Sequence, residues 1–491
     1  MKRQSNRLMF ASPLVFAIAL FFGAFGSASA DTDVKMTGDV HIYENFWTKF
    51  QYTGWDYTGT QALDPMTIYE RVRVRFDFSA NENLNFRLAT KTSEIPWGHG
   101  TYTVDNPAVS FSKIYQAYSQ FKWPGTQIEF TIGLQDMDLP FSVDWLDGNP
   151  VFGSTRTAAA MVSVPIVDGF KAVGGFTRLF DTNGGFDPTT RQQAGDLDAY
   201  ILTLPIELSG FQATPWSMVA VAGRDAGYGG VQVGNGGYSN ETLATNLLSA
   251  ASLGSGSSWK NSRNAYWWAG ATLALTALDP FKFYADLMYG SGNDADSGRF
   301  RRHGSFFDLA AEYTGFNLLT PQVTFWYSSG EDGSTTNGSE RMPSVVDYWS
   351  PSNSFLFDGD QAFDNGFMNI NPVGAYGVVA ALNKISFLPG LTHRLTVSYA
   401  HGDNSPAAFR TANALQGLGS YVQIGRDLTD KESVVGIGFD NTYDIFTNLS
   451  AIVETGWSRG NFQTSVWGHR LAEATRGGDA YKLTVGLKYK F

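Results

Sequence analysis

The chain ends Tyr481-Lys482-Leu483-Thr484-Val485-Gly486-Leu487-Lys488-Tyr489-Lys490-Phe491. Tyr481, Leu483, Val485, Leu487, Tyr489 and Phe491 fall on one parity, and Lys482, Thr484, Gly486, Lys488 and Lys490 fall on the other. Successive side chains of a strand point to opposite faces, so the stretch reads as a strand with one wholly apolar face and one polar, cationic face. A strand of a soluble sandwich alternates too, but it runs on into a loop and does not stop on an aromatic at the carboxyl terminus. An apolar medium against one face accounts for the pattern.

The same alternation recurs upstream. Val72, Val74, Phe76 and Phe78 interleave with Arg71, Arg73, Arg75 and Asp77; Leu84, Phe86 and Leu88 interleave with Asn85, Arg87 and, further on, Lys91. Ile128, Phe130, Ile132 and Leu134 alternate with Glu129, Thr131, Gly133 and Gln135. Leu395, Val397 and Tyr399 repeat it against Arg394, Thr396 and Ser398, as do Val435, Ile437 and Phe439 against Gly436, Gly438 and Asp440. An aromatic fraction of 15%, a charged fraction of only 16% and 53 glycines suit a sheet whose surface does not all face water.

Candidate strands begin near residues 34, 66, 83, 111, 126, 158, 170, 197, 212, 264, 281, 305, 320, 373, 391, 433, 449 and 478. Between them, short connections such as 79–83, 123–125, 167–169, 208–211, 278–280 and 388–390 alternate with long polar ones such as 47–65, 223–263, 329–372 and 402–432. Short turns on one rim and long loops on the other are the layout of an outer-membrane barrel. The expectation is an all-β transmembrane antiparallel barrel of 18 strands, residues 31–491 forming one domain. Sixteen strands is the alternative, because the stretches near 212 and 434 are less regular.

Lys2, Arg3 and Arg7, an apolar run from Leu8 to about Phe25, and Ala28-Ser29-Ala30 before Asp31 form a signal peptide over residues 1–30. Its removal leaves 461 residues with a net charge of −14 instead of −11, since those 30 residues hold three basic and no acidic side chains. The mature chain has no apolar run of about 18 residues that would make a spanning helix. Zero cysteines exclude disulfides, Cys-ligated zinc and a thiol nucleophile. The acidic balance argues against a nucleic-acid partner, which needs a basic face.

A barrel of this size leaves an aqueous lumen. With Val72, Val74, Phe76 and Phe78 facing lipid, Arg71, Arg73 and Arg75 face inward, with Arg87 and Lys91 on the neighbouring strand. The opposite orientation costs about 2 to 4 kcal/mol for each charge near the bilayer midplane. These five residues read as a basic pore wall, or alternatively as structural partners of Glu70, Asp77 and other wall acids.

The final strand resembles the C-terminal signal by which outer-membrane barrels are recognised for insertion. After Ile132-Gly133-Leu134-Gln135, the segment 136–157 carries Asp136, Asp138, Asp144 and Asp147 with Phe141 and Trp145. This layout, with Gln116-Ala117-Tyr118 before it, resembles the general trimeric porins, and most closely the outer-membrane homotrimeric porins of sulfate-reducing bacteria. The resemblance implies a segment folded into the lumen after strand five, whose four acids face the basic wall. It also implies passive diffusion of ions and small hydrophilic solutes, a homotrimer, contact with outer-membrane lipid and lipopolysaccharide, and insertion by the barrel-assembly machinery. Leu134 replaces a basic residue frequent in that family, and the family's constriction-loop motif is absent, so the lumen-facing acids stay open.

Segment 329–372 holds Glu331, Asp332, Glu340, Asp347, Asp358, Asp360 and Asp364 against Arg341. It reads as a solvated loop, or as one that gathers Ca²⁺ or Mg²⁺ with lipopolysaccharide, an idea that Asn293-Asp294-Ala295-Asp296 also invites. Neither stretch matches a calcium-loop pattern, so no metal ligands or cofactor are assigned. Gly456-Trp457-Ser458-Arg459-Gly460 fits a nucleophile elbow in letters only, because it ends a strand with no helix after it. The six histidines have no metal-ligand spacing, and the chain is expected not to be an enzyme. The rival channel is a sugar-type selective porin, with Trp145, Trp268, Tyr284 and Trp326 as a stacking track; barrel aromatics more commonly form girdles at the lipid interfaces. A third class is a non-conducting surface barrel.

Overall fold

The computed structural model describes residues 32–49, 52–54, 66–92, 95–97, 113–143, 145, 148–153, 155–181, 195–224, 243–251, 261–293, 298–334, 336–345, 373–476 and 479–491. The leader over 1–30 lies outside the described residues, as do Asp144 and Asp147.

Eighteen staves make one sheet. They are β1 (Asp33–Trp47), β2 (Met66–Asn81), β3 (Leu84–Lys91, resumed at Ile95–Pro96), β4 (Lys113–Lys122), β5 (Glu129–Met137) and β6 (Thr155–Val167). Next come β7 (Phe170–Asp181), β8 (Asp196–Thr203, resumed at Ile206–Leu208), β9 (Phe211–Gly223), β10 (Arg263–Leu275), β11 (Phe281–Gly292) and β12 (Arg302–Tyr313). The remainder are β13 (Thr320–Ser328), β14 (Ala375–Leu388), β15 (Leu391–Gly402), β16 (Ser433–Phe446), β17 (Leu449–Asn461) and β18 (Ala480–Lys490). Each pairs antiparallel with its sequence neighbours, and β18 returns to β1 in a register running from Asp39↔Lys490 to Trp47↔Lys482. The stretches near 212 and 434 are full staves, β9 and β16, which decides for 18 over 16.

Closure removes the sheet edges, so the wall's ladder groups pair within the sheet, the condition for a structure that sits in hydrocarbon. At the seam the Gly38 amide donates to the Phe491 carbonyl (2.8 Å) and the Phe491 amide donates to the Gly38 carbonyl (3.0 Å). Any Cβ at residue 38 would run into the Phe491 ring. The terminal aromatic therefore lies over the glycine of the first strand.

The alternation sorts the two faces. Val34, Met36, Ile132, Leu202, Leu287, Leu309, Val323, Val397, Ile437, Leu483, Val485 and Leu487 are exposed on the outside. Trp123, Phe281, Phe316, Phe387 and Phe446 ring the short-turn rim, and Trp97, Trp267, Tyr399 and Tyr481 the other. An exposed apolar surface this extended needs a non-aqueous cover. Glu70, weighed above as a partner for the wall arginines, is on the outward parity of β2 and accepts from the Trp97 indole (3.3 Å).

The long connections carry helices that the strand periodicity does not announce: α1 (Leu243–Leu247), α2 (Pro406–Gln416), α3 (Thr464–Trp467) and α4 (His469–Arg476). Ser405 caps α2 by accepting from the Ala407 amide (3.2 Å), and Pro406 opens it. Phe409 of α2 meets Trp467 of α3 edge-on at 6.0 Å. Arg302 ties this cover to the wall: its buried guanidinium donates to the carbonyls of Thr245, Leu248 (3.1 Å), Arg341 (3.1 Å) and Met342 (3.4 Å).

Gly38→Val should destabilise closure by about 1 to 3 kcal/mol, the usual range for overpacking. The check is the temperature at which the unboiled barrel loses its compact gel mobility, which is expected to fall; an unchanged temperature means that the Phe491 contact does not hold the seam.

Candidate functional site: the lumen and the segment folded across it

The seam brings a basic sector together on the inward face. β18 contributes Lys482, Lys488 and Lys490, which pair in register with Trp47, His41 and Asp39 of β1. His41 and Asp39 pair in turn with Arg71 and Arg73 of β2, and Arg73, Arg75 and Asp77 with Lys91, Ala89 and Arg87 of β3. The Arg71 guanidinium donates to His41 Nδ1 (2.8 Å) and lies 3.9 Å from Asp39, Arg73 is bonded to Asp39 (2.8 Å), and Arg87 to Asp77 (2.6 Å). Arg87 also lies over the Tyr118 ring (5.5 Å) and Lys91 over that of Tyr115 (5.8 Å). Among the described residues of the sector, bases outnumber acids. The lysines of β18 belong to the same surface; the alternation that identified the outward face of this strand also places them inward.

The segment between β5 and β6 crosses the lumen, and apolar contacts drive it there. Leu139, Val143, Val151 and Phe152 are buried in one cluster with Trp216, Trp268, Met288, Phe306 and Trp326 from the far wall, β9 to β13. The Leu139 amide donates to the Phe152 carbonyl (2.8 Å), which closes the base of the excursion. At its tip, Ser142 donates to Asp286 on β11 through its amide (3.1 and 3.2 Å) and its hydroxyl (2.5 Å). Trp145 meets Tyr284 edge-on at 5.2 Å and donates to Thr324 Oγ1 (3.4 Å).

Of the four acids of this segment, the two that are described, Asp136 and Asp138, occupy different places. Asp136 is still part of β5, where its carboxylate accepts from Gln116 Nε2 (2.5 Å) and pairs with Arg156 of β6 (2.8 Å), on the same side of the barrel as the basic sector. Asp138 is exposed at the start of the crossing. The sequence could not separate these two, because where β5 ends depends on how far its pairing with β6 extends.

Trp268 and Trp326 face inward yet are fully buried, so they form neither an interface girdle nor an open stacking track. Each ring lies over a glycine of the neighbouring strand, Gly290 and Gly377 respectively, where a Cβ would collide with it. Elsewhere inside, Arg394, Asp440 and Glu454 form one register line on β15, β16 and β17. Among the described residues no cluster of three or more His, Asp or Glu could hold a metal ion.

Part of the supposedly solvated 329–372 segment is buried. Glu331 accepts from the Ser339 hydroxyl (2.6 Å), and burial pushes its carboxyl above the usual range despite that bond and the nearby Arg341 and Arg302. Ser458, from the nucleophile-like stretch, lies within β17 and donates to the Val435 carbonyl (2.9 Å).

No protein-family model matches the chain, and no curated protein matches its sequence. Among solved structures it is similar to OccK11 (OpdR) of Pseudomonas aeruginosa, with 12% identity over 94% of this chain and 96% of that one and a TM-score of 0.49. OprD of the same organism matches at 11% identity over 95% and 99%, with a TM-score of 0.48. OccAB2 of Acinetobacter baumannii matches at 10% identity over 95% and 99%, with a TM-score of 0.49.

Replacing Arg71, Arg73 and Arg75 together by glutamine should lower the anion-to-cation permeability ratio several-fold, read as a shift of reversal potential toward the cation side under a salt gradient. An unmoved reversal potential would remove the basic sector from any part in ion passage.

Proposed function

We propose that the chain is a passive channel of the bacterial outer membrane that admits ions and small hydrophilic solutes and favours anions. The observation that carries this reading is the sorting of the two faces: a closed sheet, apolar outside, with charged side chains inside and one segment folded across its interior. Lipid stabilises the outer face, and water and ions are needed by the inner one. Fixed charges beside low-dielectric walls focus the field, so a basic sector on one side raises the local concentration of anions. The elbow-like stretch Gly456–Gly460 is plain strand in β17, with Ser458 donating to the Val435 carbonyl, and we read the protein as no enzyme.

A second reading, selective passage, is favoured by the one-sidedness of the interior. The apolar cluster under the crossing segment takes up the β9–β13 side and leaves the basic side for solutes. That arrangement suits anionic solutes better than sugars, because Trp268 and Trp326 are covered. The homotrimer, the lipopolysaccharide contact and insertion through the C-terminal strand come from the sequence resemblance and are part of the proposal, as is membership among porins of the sulfate-reducing type.

Purified protein in planar bilayers should conduct in discrete steps, and small organic anions should reduce the current more than neutral sugars of equal size. A protein that inserts without conducting would end the channel reading. Saturable block by oligosaccharides at low concentration would replace it with a sugar-selective one.

A further inference from the structure

On the half of the wall nearer the long-loop rim, outward residues of β16, β17, β18 and β1 fall on shared register lines. One line runs Phe439, Thr455, Leu483, Phe46, and the line above it runs Ile437, Trp457, Tyr481. Thr455 is the short side chain among large ones, and its hydroxyl is engaged, donating to the Phe439 carbonyl (2.9 Å). The result is an apolar groove of about 520 Å³, with Thr455 and Gly456 on its floor and exposed aromatic and aliphatic side chains along its sides.

The groove leads up to a group of bases. Arg459 stands two residues above Trp457 on β17, and Asp479 accepts both from its guanidinium (2.6 Å) and from the Tyr481 hydroxyl (3.4 Å). One carboxylate therefore fixes a base over the top of the groove. α4 lies against β17, and its Arg476 donates to Thr464 (3.3 Å), three residues past the end of that strand. Arg470 is exposed on the same helix, and Lys49 follows Thr48, whose amide donates to the Tyr481 carbonyl (2.9 Å). The bases are the more exposed members of their pairs: Arg459 is 63% exposed against 19% for Asp479, and Arg476 60% against 39% for Glu473. With Lys49 and Arg470 included, bases outnumber acids in this group, so the rim over the groove is cationic. The outward acid Glu44 stands one line further down, opposite Val485, below the level of a headgroup.

Hydrocarbon covers any apolar wall, so the groove alone does not name its occupant. The bases above it do. Cations at the interface attract anionic headgroups, and arginine matches the geometry of a phosphate. We propose that groove and rim bind one lipid of the outer leaflet, a lipopolysaccharide, with an acyl chain over Thr455 between Phe439 and Leu483 and a phosphate of its lipid A on Arg459 and Arg476. The site rests on the outer-membrane reading above and gives its lipopolysaccharide contact a place.

The purified barrel in detergent, titrated with rough lipopolysaccharide, should bind it saturably, read as a rise in the temperature at which compact gel mobility is lost. Arg459→Gln with Arg476→Gln should weaken binding about thirtyfold, from about fivefold for each base beside an anionic surface, and Arg459→Lys with Arg476→Lys should restore it. Thr455→Trp, which fills the groove from the lipid side, should weaken binding about tenfold, as for two methylenes displaced. Ala285→Trp, on the outward face of β11, should leave binding unchanged. Lipid A stripped of its phosphates should bind the unmodified protein no better than lipopolysaccharide binds the double glutamine variant. The site is overturned if phosphatidylglycerol binds as well as lipopolysaccharide, if dephosphorylated lipid A binds at full strength, or if the groove and rim variants bind normally. A changed sedimenting mass in Thr455→Trp with lipopolysaccharide affinity intact overturns it in favour of a second copy of this chain. Conductance is scored on the same preparations: a conducting barrel that fails these titrations loses only the lipid site, and a silent barrel that passes them keeps the site and ends the channel reading. Compact gel mobility before boiling confirms that each variant is a closed barrel.

Discussion

Closure of the sheet between its first and last strands is the constraint on which everything else depends. In hydrocarbon there is no water to satisfy a free backbone amide or carbonyl, so the sheet must end on itself. β1 and β18 meet this requirement over nine register pairs, and the last residue bonds back to Gly38. The seam also sets the electrostatics. Lys488 and Lys490 of β18 come from the far end of the chain to lie beside His41 and Asp39, which pair in turn with Arg71 and Arg73 of β2, so a basic part of the inner wall straddles the point where the barrel closes.

The interior is uneven because two kinds of packing share it. On the β9 to β13 side, inward tryptophans lie against glycines and accept the apolar side chains of the crossing segment, which makes a small protein-like core inside a barrel. Around the seam the inward residues are charged and partly paired. The lumen therefore has one packed flank and one charged flank, and the segment after β5 lies against the packed one.

Much of this was legible in the residues. Period-two alternation located the eighteen strands to within a few positions, because a strand that faces lipid on one side and water on the other leaves little freedom in side-chain choice. The inward direction of Arg71, Arg73, Arg75, Arg87 and Lys91 followed from the same rule. The external helices were not legible, since their apolar residues answer to contacts between loops that are distant in sequence, such as Phe409 with Trp467. Trp268 and Trp326 misled for a related reason: an aromatic on a barrel strand reads as a girdle unless one knows that a loop more than a hundred residues earlier lies against it. Asp286 and Asp308 drew no notice as single acids in alternating stretches, and only their register makes them a pair.

The sequence by itself determined the strands, their two faces, the rim carrying the long loops and the sign of charge on the wall strands, because each of these is set within about ten residues by which medium a side chain meets. The tertiary structure alone decided that the count closes at eighteen, that Asp136 stays in the wall while Ser142 reaches Asp286, and which aromatics are covered. Those outcomes depend on pairing register and on contacts across the lumen, and neither is encoded in the local alternation.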